Sequence, residues 1–98
     1  MFARVSRLQE NIDDLDEGVR QFREKLLPQV EAIPGFAGLQ QLVNRTTGET
    51  LAVTFWDSEE AMRASESQAD EIREEAAGLT AGEIRSVERY EVVLRVGL

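Results

Sequence analysis

The chain has no cysteine and no histidine in 98 residues, and only one Trp and one Tyr. Each absence removes chemistry. Without Cys there is no disulfide framework and no thiolate nucleophile; without His, imidazole bases and the usual zinc, copper and haem ligands are missing. Neither a metal nor a resident cofactor is expected. Long apolar runs are absent too. The start MFARVSRLQE lacks the roughly 7–15-residue apolar run of a signal peptide, and no segment approaches the roughly 18 apolar residues of a membrane span. The expectation is a cytoplasmic protein with no membrane partner. Basic residues are scarce, 11 Lys and Arg against 19 Asp and Glu, which leaves a net charge of −8. Phosphate backbones are bound through Lys and Arg, so nucleic acid is not an expected partner, and an anionic membrane surface is disfavoured for the same reason. Walker loops, dinucleotide glycine patterns and nucleophile elbows do not occur.

What is present suffices for a core: 42% hydrophobic against 31% charged residues, outside the range of disordered polyanions. Residues 1–98 are read as a single domain, and one this small buries only roughly 65% of its unfolded surface, so self-association is to be expected. Phe2 to Gln9 mixes β-branched, aromatic and long side chains and reads as a strand. Ile12, Leu15, Val19, Phe22 and Leu26 then recur every three or four residues, placing one apolar stripe on a helix. Asn11 is its expected N-cap, and Asp13, Asp14 and Asp16 suit the positive end of the helix dipole. Pro28 lacks the backbone donor an interior position needs, so the regular helix is expected to stop near Leu27, with at most a kinked turn through Val30.

Pro34-Gly35 marks a turn, Phe36 to Asn44 and Thr50 to Trp56 read as a hairpin, and Gly48 supplies positive φ in its loop. A second helix opens at Asp57 or Ser58, with Asp57-x-x-Glu60 as a capping box, and runs to about Ala77 with Gly78 as terminator. The last strand is expected over Glu83 to Val96. The order β-α-β-β-α-β points to an α+β, ferredoxin-like antiparallel sheet with both helices on one face. Eight acidic residues between Asp57 and Glu75 face only Arg63 and Arg73. Glu66, Asp70, Glu71, Glu74 and Glu75 are read as a solvated outer face.

Two helices cover only one face of such a sheet, and the strands do not leave a polar face for solvent. Leu51, Val53 and Phe55 alternate with Ala52, Thr54 and Trp56. In the preceding strand Leu39 and Val43 are assigned to one side, and Phe36 and Leu42 to the other. A face left to water would alternate apolar with charged residues, so a homodimer packed sheet on sheet is expected.

Ile33-Pro34-Gly35-Phe36, Phe55-Trp56-Asp57-Ser58-Glu59-Glu60-Ala61-Met62 and Tyr90-Glu91-Val92 together resemble the antibiotic biosynthesis monooxygenase family. That resemblance implies a dimeric α/β barrel with a pocket in each subunit between sheet and helices. It also implies one of several fates: cofactor-independent oxygenation of a small aromatic or polyketide-like substrate, haem degradation, or simple ligand binding. The haem-degrading branch uses a His on the second helix, an Asn on the first strand and a Trp ending the third strand. Only Trp56 has a counterpart here.

For cofactor-free oxygenation the substrate is the reductant, and the protein must desolvate its anion beside a cation or hydrogen-bond donors. Trp56 and Tyr90 are the candidate catalytic residues. Arg4, Phe22, Asn44, Thr54, Met62 and Ser65 are candidate substrate contacts, and Gln40 is a further polar one. Core packing of Trp56 and Tyr90 remains the competing reading. The inner stripe of the second helix, Met62, Ser65, Ala69, Ile72 and Ala76, is small. Such a stripe either approaches the sheet closely or leaves a cavity beneath it. A cavity is expected to gather Phe22, Trp56, Met62, Ser65 and Tyr90. A non-catalytic binding protein of the same fold is the alternative.

Overall fold

In the computed structural model, which describes residues 1–97, four antiparallel strands lie in the order β2-β3-β1-β4. They are β1 (Phe2–Gln9), β2 (Phe36–Val43), β3 (Glu49–Trp56) and β4 (Glu83–Glu91). Two helical stretches, α1 between β1 and β2 and α2 between β3 and β4, pack on one face of this sheet, which is the ferredoxin-like α+β arrangement. The last strand is shorter than the alternation of Val92, Leu94 and Val96 suggests. It ends at Glu91, although the Val92 N–H still donates to the Met1 carbonyl at 2.9 Å.

α1 is a composite rod: a 3-10 turn (Ile12–Asp14), an α segment (Leu15–Gln21), a π turn (Phe22–Leu26) and a final α segment (Leu27–Glu31). The Asn11 side chain caps it as expected, accepting from the Asp13 N–H at 3.0 Å. The helix does not stop at Leu27. The Leu27 N–H bonds back to the Phe22 carbonyl, a five-residue step. Pro28 thereby enters in the first turn of the following α segment, where its missing N–H and fixed φ cost little. The Lys25 carbonyl is satisfied by the Gln29 side-chain amide at 3.2 Å.

α2 breaks at Ser65 into Glu59–Ala64 and Glu66–Leu79. Its cap is Ser58, which accepts from the Ala61 N–H at 3.1 Å, not Asp57. It continues through Gly78, and the left-handed residue beyond its end is Ala81, with φ 50°. Gly35 is required where it stands: its φ is +83°, and an added Cβ would lie 2.4 Å from that of Ala61.

The hairpin carries a bulge between Phe36 and Gly38. This extra residue shifts Phe36 onto the same side as Leu39 and Val43, not the side of Leu42. Its ring meets Trp56 edge to face, with centroids 5.9 Å apart. The helix-covered face of β1 and β3 bears Arg4, Ser6 and Leu8 with their partners Thr54, Ala52 and Thr50. Phe22, Leu26, Val30, Ile33, Trp56, Met62 and Ile72 form the core above it. The opposite face bears Ala3, Val5, Leu51, Val53 and Phe55, with Tyr90 beside Ala3. Among the described residues no helix is long and apolar enough to cross a membrane.

Candidate functional site

The small inner stripe of α2 leaves space rather than close contact. A cavity of about 460 Å³ lies between the helices and the sheet, lined from α2 by Ala69, Ile72, Arg73 and Ala76. α1 contributes Leu15, Gly18, Val19, Phe22 and Leu27, and the sheet contributes Arg4, Ser6, Leu8, Leu39, Gln41, Val43, Thr50, Ala52, Thr54 and Trp56. This size suits a ligand of a few fused rings.

Arg4 dominates the chemistry of the wall. It projects from the middle of the sheet and is only 2% exposed. Its Nη2 donates to the Met62 carbonyl at 2.7 Å, to Ser65 Oγ at 2.9 Å and to Glu66 Oε1 at 3.0 Å. The guanidinium carbon lies 5.4 Å from the Trp56 ring centroid, a cation–π contact. Burial lowers the Arg4 pKa, and the Glu66 hydrogen bond works against it. Arginine stays protonated regardless.

Glu66 serves two cations. Arg89 from β4 donates to it through Nε at 2.8 Å and Nη2 at 2.6 Å. Hydrogen bonds from Arg89 first and then Arg4, against partial desolvation, hold the Glu66 carboxyl down at about 2. One carboxylate shared by two guanidinium groups leaves this end of the cavity cationic. Glu66 is thus not part of a solvated outer face. Arg73 likewise turns inward, its Nε donating to Ser6 Oγ at 2.9 Å and its Nη1 to Asp70 at 2.7 Å. Arg23 and Arg45 also border the cavity, with Glu10 and Asp16. Arg45 and Asp16 are paired at 2.9 Å. A protein of net charge −8 therefore surrounds its cavity with four arginines against two carboxylates.

Trp56 is 1% exposed, and its indole N–H donates to Thr54 Oγ1 at 3.0 Å. That leaves the Thr54 hydroxyl proton for another acceptor. Two buried polar atoms on the wall have no hydrogen-bond partner among the described residues, Arg4 Nε and Thr50 Oγ1.

Of the residues expected at the site, Arg4, Phe22, Thr54 and Trp56 meet at this cavity. Met62 and Ser65 do not line it; they are buried behind Arg4 and hold its Nη2. Asn44 is a turn residue, its Oδ1 accepting from the Thr46 and Thr47 N–H groups at 2.9 and 3.2 Å. Tyr90 lies on the other face, half exposed, with its hydroxyl donating to Glu88 at 2.7 Å. Gln40 shares that other face, being paired with Val53. Periodicity alone passed over Arg73, Glu66 and Thr50. The signal for Arg73 was available: Ala69, Ile72, Arg73 and Ala76 follow the i, i+3, i+4, i+7 rule of one helix face. Among the described residues no cluster of acidic side chains could hold a metal ion.

No protein-family model matches the chain. The uncharacterized protein Rv2558 of Mycobacterium tuberculosis H37Rv is 33% identical over 94 residues, which cover 96% of this chain and 39% of that protein. The chain spans about two fifths of the length of the curated relatives it matches. Among solved structures, the heme-degrader MhuD of M. tuberculosis, with two hemes bound in its active site, superposes with a TM-score of 0.71. It is 26% identical, over 99% of this chain and all of that one. A monooxygenase from the ActVA-Orf6 gene of Streptomyces coelicolor, in complex with Nanaomycin D, gives a TM-score of 0.69. It is 17% identical, over 99% of this chain and 89% of that one. A protein named as a candidate antibiotic biosynthesis monooxygenase from Deinococcus radiodurans gives 0.68, 14% identical, over 100% and 98% of the two chains.

Proposed function

We propose, from the fold the chain shares with antibiotic biosynthesis monooxygenases, that its cavity binds a small aromatic, polyketide-like molecule and assists its oxygenation without a resident cofactor. The observation that carries this reading is Arg4, buried in the cavity wall with its guanidinium against Trp56. An aromatic ring gains dispersion from Trp56 and Phe22, and a ring oxygen that becomes negative gains a fixed cation and the Thr54 hydroxyl.

The matching reaction uses a ring methylene activated by a neighbouring phenol or enol. Ionisation releases a proton to solvent at the mouth, and the resulting carbanion-like anion passes its electrons to dioxygen. One CH₂ and one O₂ become one C=O and one H₂O, so the substrate supplies all four electrons. The protein stabilises the anion and keeps water from it. The haem-degrading activity named for MhuD finds no iron ligand of the imidazole or thiolate kind in this sequence.

A second reading, a non-catalytic ligand-binding protein, is favoured by the placement of Tyr90. With that phenol on the outer face, the wall offers no Tyr to exchange a proton with the substrate. Oxygen uptake with a panel of anthrones and hydroquinones separates the two. Uptake that falls at least about tenfold in Trp56→Phe supports catalysis. Saturable binding with no uptake supports the second reading, and no binding at all contradicts both.

The outer sheet face is best matched by a second copy of this chain. Leu42 and Tyr90 are about half exposed there, and Val93, Leu94 and Val96 beyond β4 are at least 80% exposed. A homodimer would remove these side chains from water, and the charges on that face, Arg7 with Glu49 and Glu88, are already paired within the chain. Sedimentation equilibrium at micromolar concentration is expected to give twice the monomer mass; a monomer there overturns the dimer.

A further inference from the structure

We infer that Arg89, a β4 residue that does not line the cavity, is a positioning residue for it: by holding Glu66 from the far side, Arg89 keeps that carboxylate from neutralising Arg4. The inference rests on the binding reading above and concerns how strongly the cavity prefers an anion to the neutral form of the same ligand.

Strand register and geometry carry it. No residue of β4 is among those lining the cavity, yet Arg89 stands directly across the strand pair from Arg4. Like charges placed opposite one another on a sheet destabilise it. A neutral residue there would serve a plain Arg4–Glu66 pair better, so stability alone does not account for a second arginine. Glu66 is also divided unequally. Arg89 grips both of its oxygens, Oε1 through Nε at 2.8 Å and Oε2 through Nη2 at 2.6 Å, the fork geometry of a guanidinium on a carboxylate. Arg4 reaches only Oε1, at 3.0 Å, from an Nη2 that also donates to the Met62 carbonyl at 2.7 Å and to Ser65 Oγ at 2.9 Å. Three acceptors share the two N–H bonds of that nitrogen, and Glu66 is the farthest of them.

The consequence is a charge left over in the cavity wall. Neighbouring charges cancel, Arg73 against Asp70 at 2.7 Å and Arg63 against Glu59 at 2.6 Å. Arg4, Glu66 and Arg89 together keep one positive charge, and the arginine that Glu66 holds less firmly is Arg4, which is 2% exposed and lies against Trp56. The same carboxylate raises the Arg89 pKa but does not offset the lowering that burial imposes on Arg4. Without Arg89 the carboxylate is free to turn wholly to Arg4, and the group becomes neutral. Burial limits screening around Arg4, so a negative ligand oxygen in the cavity feels that loss. The Arg89 side chain itself is 44% exposed, which holds the effect to several-fold.

The test uses the phenolic dye alizarin, whose colour changes on ionisation and whose quinone ring has no methylene to oxygenate. Absorbance titrations with and without protein give the ratio of affinities for its ionised and neutral forms. In the wild type the ionised form is expected to bind at least about tenfold more tightly. Arg89→Leu is expected to reduce that preference at least about threefold, with affinity for the neutral form within about twofold of wild type. Two rescues separate positioning from mere support of the fold. Arg89→Lys returns a cation and should keep most of the preference. Glu66→Gln added to Arg89→Leu removes the neutralising carboxylate and should restore the preference that Arg89→Leu loses. Thermal melts establish that each variant folds; should the double variant fail, Arg89→Gln beside Arg89→Lys decides. A preference unchanged in folded Arg89→Leu overturns the inference, as does a loss that neither rescue repairs. Equal affinity for the two forms in the wild type overturns it too, and leaves ring binding intact. Failure of folded wild-type protein to bind either form overturns the binding reading itself.

Discussion

The two faces of the sheet each depart in part from the usual rule. The face covered by helices carries Arg4, Ser6, Thr50 and Thr54 among its apolar residues, whereas the face without helices carries Ala3, Val5, Leu51, Val53 and Phe55, with Arg7, Glu49 and Glu88 beside them. A covered face ordinarily takes the apolar side chains and a bare one the polar. Polar groups are tolerated on the inner side because each is tied into a network or borders a cavity. On the outer side the apolar middle is accounted for if another molecule excludes the water. The inner face thus combines the apolar core with a few buried ionic contacts, whereas the outer face carries apolar side chains that one chain alone leaves partly exposed.

The largest effect should come from breaking the inner network. Glu66→Leu leaves the buried Arg4 guanidinium without its carboxylate, and removing one member of a buried pair costs about 3–5 kcal/mol. Because the Glu66 side chain is 28% exposed, about 3 kcal/mol is expected, read as a lower urea midpoint. Next is the outer face. Val53→Asp places a charge in the middle of the proposed interface, where an unpaired buried charge is strongly disfavoured. It should weaken self-association at least about 100-fold, or about 2.7 kcal/mol, in sedimentation, with little change in the helical circular dichroism signal.

A smaller effect belongs to pH. The Glu66 carboxyl is held at about 2 in the fold, against an ordinary 4.5. Its contribution to stability is thus complete above pH 4.5 and is lost as pH falls from there to about 2. Urea midpoints across that window should fall more steeply for the wild type than for Glu66→Gln. The smallest effect is expected of Tyr90→Phe. Its hydroxyl meets only Glu88 on the outer face, so ligand affinity should stay within about twofold of wild type. A large loss there would move the site to the other face.

Much of this was legible before the structure. Periods of two and of three to four gave the element order, Asn11 its cap, and Phe22, Thr54 and Trp56 their side of the sheet, because those inferences depend on local spacing. The misplacements have physical reasons that spacing does not carry. One extra residue at the Phe36–Gly38 bulge reversed the side of Phe36, and a π turn let the helix continue past Pro28. Asn44 was spent on its own turn. Glu66 and Arg73 looked like members of an acidic surface because their partners, Arg4, Arg89 and Ser6, come from strands distant in sequence. Arg4 itself was visible as a polar residue between Phe2 and Leu8 on the inner alternation, but its depth depended on the carboxylate that α2 delivers.

The central claim is that the inner face holds the ligand and the outer face does not. Methyl NMR of Ile, Leu and Val residues during titration with an anthrone tests it most directly. The account predicts saturable shifts at Val19, Leu27, Leu39 and Ile72, which line the cavity, with Val5, Leu51 and Val53 unmoved. Shifts led by the outer-face methyls, or none at either face at saturating probe, would contradict it.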